Sequence, residues 1–220
     1  MRLLPVPGVF QPCRDSWMLI ERISRERLEP GASVLDLCTG SGAVAAAAAR
    51  IHGAEVVAVD VSRRAVLATR LNATLNAVRV RALHGDLFAP VRGERFHLIL
   101  SNPPYLPGSA SETPRRGPAR AWEGGADGRC LIDRICAQAA EHLHPGGVLL
   151  LVHSSVSGEQ ATVAALSRRG LDTSVVARER GRLGPRLRSR APWLRERGLL
   201  APDGTEDLLV IRARREDGRG

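Results

Sequence analysis

Val34-Leu35-Asp36-Leu37-Cys38-Thr39-Gly40-Ser41-Gly42 is a short apolar strand running into a glycine-rich turn, and the Ala-rich stretch 43–51 behind it reads as a helix. The alternation continues outward from this unit. Upstream, 15–28 has the pattern of an amphipathic helix, with Trp17, Leu19, Ile20, Ile23 and Leu28 apolar among charges and Glu29-Pro30-Gly31 as its stop. Downstream, strands are predicted at 55–59, 79–84, 96–100, 148–153, 173–177 and 208–212. Helices are predicted from the Ser62 cap to about Asn76, at about 129–143, and at 158–168. A loop rich in Pro, Gly and Ser fills 106–128. Strands alternating with helices of this length predict an α/β fold with a parallel sheet covered on both faces. In such sheets ligands bind beyond the carboxyl ends of the strands, so the residues just after each strand are the informative ones.

The 220 residues fit one domain over 1–220, with an N-terminal helical segment over 1–30 and an Arg-rich insertion at 178–205 before the last strand. Hydrophobic residues make up 44% and charged residues 25%, the balance of a soluble globule rather than a disordered chain. The longest apolar stretches, 43–49 and 147–152, fall far short of the ~20 residues that span a bilayer. Residues 1–10 carry two prolines and no long apolar core, unlike a signal peptide. The expected setting is therefore the cytoplasm. Cys13, Cys38, Cys130 and Cys136 form no CxxC pair and have no His at zinc spacing, so no metal site is expected.

Net charge is +9, yet all 32 basic residues are Arg, a bias expected of a GC-rich genome. Position is more telling than the total. From Arg178 to Arg197 there are eight Arg and two Glu, which is +6, and the remaining two hundred residues carry only +3. The stretch reads either as a solvated loop or as an arm contacting phosphates, and it looks poorly suited to a buried core.

The turn Asp36–Gly42 allows close backbone approach to a ligand, and the helix N-terminus behind it favours an anionic group. A glycine turn alone is weak evidence, because dinucleotide folds use a related one. The acids that follow narrow the choice. Asp60, in Asp60-Val61 after the second strand, is placed to accept ribose hydroxyls; Asp86, in Gly85-Asp86-Leu87 after the third, is placed to accept from an adenine amino group. Asn102-Pro103-Pro104-Tyr105 follows the fourth strand. This succession is the pattern of class I S-adenosylmethionine-dependent methyltransferases. An amide or exocyclic amine is a poor nucleophile, so its nitrogen must be held in line with the methyl group in a dry site. The Asn102 side-chain oxygen and the Pro103 carbonyl can accept its two N–H groups, Pro104 stiffens the turn, and the Tyr105 ring packs on the planar acceptor.

With the glycine turn and the Asn102–Tyr105 motif, the block Ala121-Trp122-Glu123-Gly124-Gly125-Ala126-Asp127-Gly128-Arg129 and the run Leu131-Ile132-Asp133-Arg134 complete a resemblance to the HemK family of protein-glutamine methyltransferases. Phe10-Gln11-Pro12-Cys13-Arg14-Asp15-Ser16 resembles the N-terminal motif of its short, archaeal and eukaryotic-type members, and a first strand near Ser33 agrees with a form without the N-terminal helical domain. The resemblance covers about residues 10–155. It implies a Rossmann-like class I methyltransferase fold, mostly parallel with an antiparallel final strand, and S-adenosyl-L-methionine as cofactor. It implies cofactor contacts from Ser16, Asp36, Cys38, Thr39, Gly40, Gly42, Asp60, Val61, Asp86, Leu87 and Asn102. Asn102, Pro103, Pro104 and Tyr105 would hold the glutamine, in the Gly-Gly-Gln motif of a peptide-chain release factor. Cys38 stands where family members often have Gly. Short members pair with a small zinc-binding activator subunit, which becomes a candidate partner here. His97, His142, His144 and His153 read as surface or packing residues. The alternative is an adenine or guanine exocyclic-amine methyltransferase, with the segment from Arg178 to Arg197 touching nucleic acid; a non-catalytic protein that retains the fold is the third reading.

Overall fold

The computed structural model describes residues 1–114 and 117–217. Seven strands form one sheet in the order β3-β2-β1-β4-β5-β7-β6. They are β1 (Ser33–Leu37), β2 (Glu55–Asp60), β3 (Val80–His84), β4 (Phe96–Ser101), β5 (Leu143–Ser154), β6 (Leu171–Arg182) and β7 (Thr205–Arg215). The first five run parallel, and β7 is antiparallel to both β5 and β6. The order reverses between β1 and β4, and the site is built at the carboxyl ends of those strands.

Period-two side-chain alternation divides the apolar residues into two cores. Leu35, Leu37, Ile99, Leu149 and Leu151 face one layer, with Ile132, Ile135 and Cys136 of α4 (Cys130–Gln138). Val34, Leu98, Leu100, Leu150 and Val152 face the other, against α1 (Arg14–Ile23) and α2 (Ala43–His52). The alanines Ala43 and Ala45–Ala49 are buried and, being small, let α2 lie close to the sheet. Gly42 is required where α2 meets α3 (Arg63–Leu75): φ is +80° and a Cβ would stand 2.8 Å from Thr69 Cα. Ser62 caps α3 as expected, accepting from the Ala65 N–H at 3.4 Å.

Three predicted boundaries are corrected. The first helix ends at Ile23 rather than Leu28, because Arg25 and Glu26 bond back only three residues. Leu28 packs on the core from a loop, and Glu26 is held by Arg212 at 2.8 and 3.1 Å. The helix predicted to 143 stops at Gln138 and tightens into a 3₁₀ turn, Ala139–His142. β5 then begins at Leu143, five residues ahead of Val148, because a register shift opposite Phe96–Leu98 absorbs the Pro-Gly-Gly turn.

The largest correction is the Arg-rich segment. β6 continues to Arg182 and pairs with β7 as far as Thr205, so a strand predicted at 173–177 is twelve residues long. The last strand likewise extends beyond 208–212 in both directions. Backbone pairing is indifferent to charged side chains on an edge strand, and Arg178 bonds Asp207 across the hairpin at 2.7 Å while Arg180 pairs with Asp203. Two short helices follow, α6 (Pro185–Arg188) and α7 (Ala191–Glu196). Leu183, Leu187, Ala191, Leu194 and Leu200 of this connection close on Val156 as a third core. The stretch is neither a solvated loop nor an extended arm, and α5 (Glu159–Ser167) supports it from below through the Arg178–Glu159 pair at 2.7 Å. The loop predicted over 106–128 includes residues 115 and 116, which lie outside the described residues; its described part holds a 3₁₀ turn at Pro118–Ala121.

Candidate active site

Two cavities meet at the carboxyl ends of β1 and β4. The first, about 540 Å3, is lined by Cys38, Gly40, Asp60, Val61, Asp86 and Leu87, with Asn102 and Pro104 at its end and Thr113, Pro114, Gly117, Pro118, Arg120 and Ala121 also lining it. Cys38, Gly40 and Leu87 lie in the left-handed region at φ 59°, 54° and 45°. For the non-glycine pair this is backbone strain held at the ligand-facing turns. Asp60 ties the turn together, accepting from the Gly40 N–H at 2.9 Å and the Ser62 N–H at 2.8 Å. Burial raises its pKa against those bonds. Asp36 is 1% exposed and accepts from Thr39 Oγ1 at 2.5 Å. Burial pushes its pKa up to about 7, the Thr39 hydroxyl opposing.

The second cavity, about 310 Å3, opens on the other side of Asn102 and takes Asn102, Pro103, Pro104 and Tyr105 as its floor. A buried polar chain fixes that floor. The Tyr105 hydroxyl donates to Asp15 Oδ2 at 2.9 Å, the Ser16 hydroxyl donates to Asp15 Oδ1 at 3.3 Å, and Asn102 Nδ2 donates to Ser16 Oγ at 3.0 Å. A carboxylate only accepts, so the Ser16 proton points at Asp15 and the Ser16 oxygen must receive the Asn102 NH2. The Asn102 carbonyl oxygen is thereby left as an acceptor at the junction of the two cavities. Burial, followed by the Asp15 charge, holds the Tyr105 phenol well above its ordinary pKa, so it stays a donor.

The glycine block supports the floor from behind. Gly124 N–H donates to the Leu106 carbonyl at 2.9 Å and Leu106 N–H to the Trp122 carbonyl at 2.8 Å. A Cβ on Gly128, at φ +79°, would stand 2.1 Å from the Tyr105 carbonyl oxygen. The wall opposite the floor comes from the Arg-rich connection: Glu179, Gly181, Gly184, Arg186 and Leu187, together with Glu206 of β7. Arg186 stacks over Trp122 at 4.2 Å, and Arg190 holds Glu123 and the Pro107 carbonyl, the latter at 2.7 Å.

Of the residues expected at the cofactor, Cys38, Gly40, Asp60, Val61, Asp86, Leu87 and Asn102 line the first cavity. Ser16, Asp36, Thr39 and Gly42 stand behind that lining and brace it; Ser16 reaches the site only through Asn102. Asp86 pairs with Arg134 at 2.6 Å, a residue of the quoted run 131–134 whose partner the sequence did not indicate. Asp15, Trp122, Glu179, Arg186 and Glu206 were not singled out as site residues. Asp15 and Trp122 stood in quoted motifs; Glu179 and Arg186 lay in the Arg-rich stretch read as a loop or an arm, and Glu206 fell just ahead of the strand predicted at 208–212. The histidines pack: His142 stacks on Phe88 at 4.5 Å, His97 meets His144 at 4.5 Å, and His153 is fully buried.

The residues present fit S-adenosylmethionine. The first cavity is of cofactor size, its turn has backbone without Cβ at Gly40, and acids stand where a ribose and an amino group would donate. Comparisons with known proteins agree. Residues 2–115 match the family model described as methyltransferase small domain. A protein N5-glutamine methyltransferase of Methanocaldococcus jannaschii is 34% identical over 172 residues, covering 78% of this chain and 85% of that protein. A release factor glutamine methyltransferase of Gloeobacter violaceus is 38% identical over 172 residues, covering 74% of this chain, which spans only 59% of that longer relative. Among solved structures, the Mtq2–Trm112 complex of E. cuniculi superposes with a TM-score of 0.65 at 22% identity, covering 95% of this chain and 99% of that one, a likeness of fold. The chain belongs to the methyltransferase small-domain family, among the S-adenosylmethionine-dependent N-methyltransferases.

Proposed function

We propose that this protein methylates the side-chain amide nitrogen of a protein glutamine, in the Gly-Gly-Gln motif of a peptide-chain release factor. The observation that carries the reading is the position of Asn102, whose amide is oriented by Ser16 so that its oxygen accepts where the two cavities join. The names of the two curated relatives support glutamine as the acceptor, and the Gloeobacter relative supports the release factor.

S-adenosylmethionine, when bound, supplies an electrophilic methyl group. Cys38, Gly40, Asp60, Asp86 and Leu87 would hold it, with Ser16, Asp36, Thr39 and Gly42 maintaining their geometry. Asn102 Oδ1 and the Pro103 carbonyl accept the two N–H groups of the glutamine amide, which turns its lone pair towards the first cavity. Tyr105 and Pro104 exclude water from the face of the amide. The nitrogen gains the methyl group and releases one proton, so no strong base is required. We extend the proposal to a single catalytic domain over 1–220 acting in the cytoplasm. We also extend it to a small zinc-binding activator subunit, since Mtq2 is paired with Trm112 in the structural neighbour. Among the described residues no helix is long and apolar enough to cross a membrane.

The test is transfer of labelled methyl from S-adenosylmethionine to purified release factor, beside its Gln→Ala variant in the Gly-Gly-Gln motif, with RNA and DNA in parallel. Label that vanishes with the glutamine is the expected result, and Asn102→Ala should abolish it while leaving cofactor binding largely intact. Label on nucleic acid alone would replace this reading with the exocyclic-amine one.

A further inference from the structure

We infer that Arg186 anchors the acceptor polypeptide at the mouth of the second cavity, its guanidinium donating to carbonyl oxygens of the chain segment that carries the glutamine; this rests on the function proposed above. Arg186 belongs to α6, in the connection whose sequence reads as a solvated loop or a phosphate-contacting arm, and its guanidinium carbon lies 4.2 Å from the centre of the Trp122 ring. Stacking engages only the face of the guanidinium, and its N–H donors radiate in the plane and stay available.

The neighbouring cations are committed elsewhere. Arg14 pairs with Glu179, and Arg190 is taken by Glu123 and the Pro107 carbonyl. Among the described residues the Arg186 guanidinium has no carboxylate or carbonyl partner, and no ring underlies Arg182, another exposed arginine on this rim. Arg186 is therefore the cation held in a fixed plane with its donors unspent. Its charge is felt at Cys13, which also lines the cavity, where it opposes the larger upward push of burial and Asp15 on the thiol. The wall beside it has no side chain at Gly184, so a second backbone can come close there, whereas Gly181 lies under Arg14, whose Nη1 a Cβ would meet at 2.9 Å. Glu206 stands on that same wall and would repel phosphate, while the charge of Glu179 is met by Arg14. One planar donor set beside the Glu206 carboxylate suits the neutral carbonyls of a polypeptide rather than a nucleic-acid backbone.

The experiment is steady-state methyl transfer to full-length release factor by the wild-type protein and by Arg186→Met, Arg186→Lys and Arg197→Met, with cofactor binding and melting temperature measured for each. Methionine keeps a flat apolar contact with Trp122 and removes every donor. The expected result for Arg186→Met is an acceptor KM raised about tenfold, with kcat and cofactor Kd unchanged. Arg186→Lys keeps the charge without the fork and should recover only part of the loss. Arg197 stacks on Trp193 away from the cavity, and Arg197→Met should match wild type. If Arg186→Met melts well below wild type, the acceptor KM of Arg186→Lys decides. Transfer by wild type with an unchanged acceptor KM in the variants overturns the anchor alone. Absence of transfer by wild type, with a small activator subunit supplied, overturns the proposed function and the anchor with it.

Discussion

Asn102 Nδ2 donates to Ser16 Oγ at 3.0 Å, joining residues 86 positions apart in sequence. Because Ser16 spends its proton on Asp15, the bond determines which end of the Asn102 amide faces the acceptor. Ser16→Ala removes that constraint and lets the amide turn over. We expect kcat to fall roughly tenfold, about the value of one hydrogen bond, with cofactor Kd little changed. Single-turnover methyl transfer and calorimetric cofactor binding would check this; an unaltered kcat would show that Asn102 is oriented by something else.

Gly128 lines neither cavity, yet its substitution should be severe. A Cβ there would sit 2.1 Å from the Tyr105 carbonyl, and φ of +79° strains any other residue. Gly128→Ala is expected to destabilise the protein by about 2–4 kcal/mol and to displace the floor of the second cavity. Urea unfolding measures the first effect and methyl transfer the second. A variant of wild-type stability and rate would mean that the block 122–128 is not the backing of the turn.

At the end of α3, Ala77 occupies the left-handed position at φ 53°, with Val78 N–H bonded to the Ala73 carbonyl at 3.0 Å. This is a Schellman motif with alanine where glycine is preferred. The residue is exposed and removed from both cavities. Ala77→Gly should therefore raise stability by about 1 kcal/mol with no effect on activity. Thermal unfolding at constant pH reads it directly.

His153 is fully buried, its Nδ1 lies 2.9 Å from the Ser154 carbonyl, and its Nε2 has no partner among the described residues. Burial lowers its pKa to about 4. Unfolded chains take up a proton there below the ordinary value near 6.5, whereas the folded protein resists until about pH 4. The contribution of neutral His153 to stability is thus complete above about pH 6.5 and lost as pH falls towards 4, by up to about 3 kcal/mol. His153→Phe should remove that part of the acid dependence. Asp36 acts in the opposite sense: raised to about 7, it keeps its proton in the fold, and stability declines as pH rises from about 4 to 7. Urea midpoints at pH 4.5 and 7 for wild type and His153→Phe isolate the histidine, since Asp36 is common to both.

The alternation of strands and helices, the glycine turn, the acids at 36, 60 and 86 and the Asn102–Tyr105 motif were all legible in the sequence. Each depends on residues close together in the chain: a strand end, a turn that needs positive φ, a helix start. Local steric and hydrogen-bonding rules settle those. The chain alone did not show how Asp15, Ser16, Asn102 and Tyr105 join, because that network crosses from α1 to the end of β4 and its proton directions follow from mutual satisfaction in a buried space. It also concealed the Arg-rich connection. A charged edge strand and two short helices show little apolar periodicity, and their stability comes from the pairing of β6 with β7 and from Leu183, Leu187 and Leu194 closing on Val156. Sequence therefore determined the sheet, the cofactor end of the site and the class of chemistry. Only tertiary structure decided how Asn102 is aimed and what walls the acceptor cavity, because both depend on contacts between segments far apart in the chain.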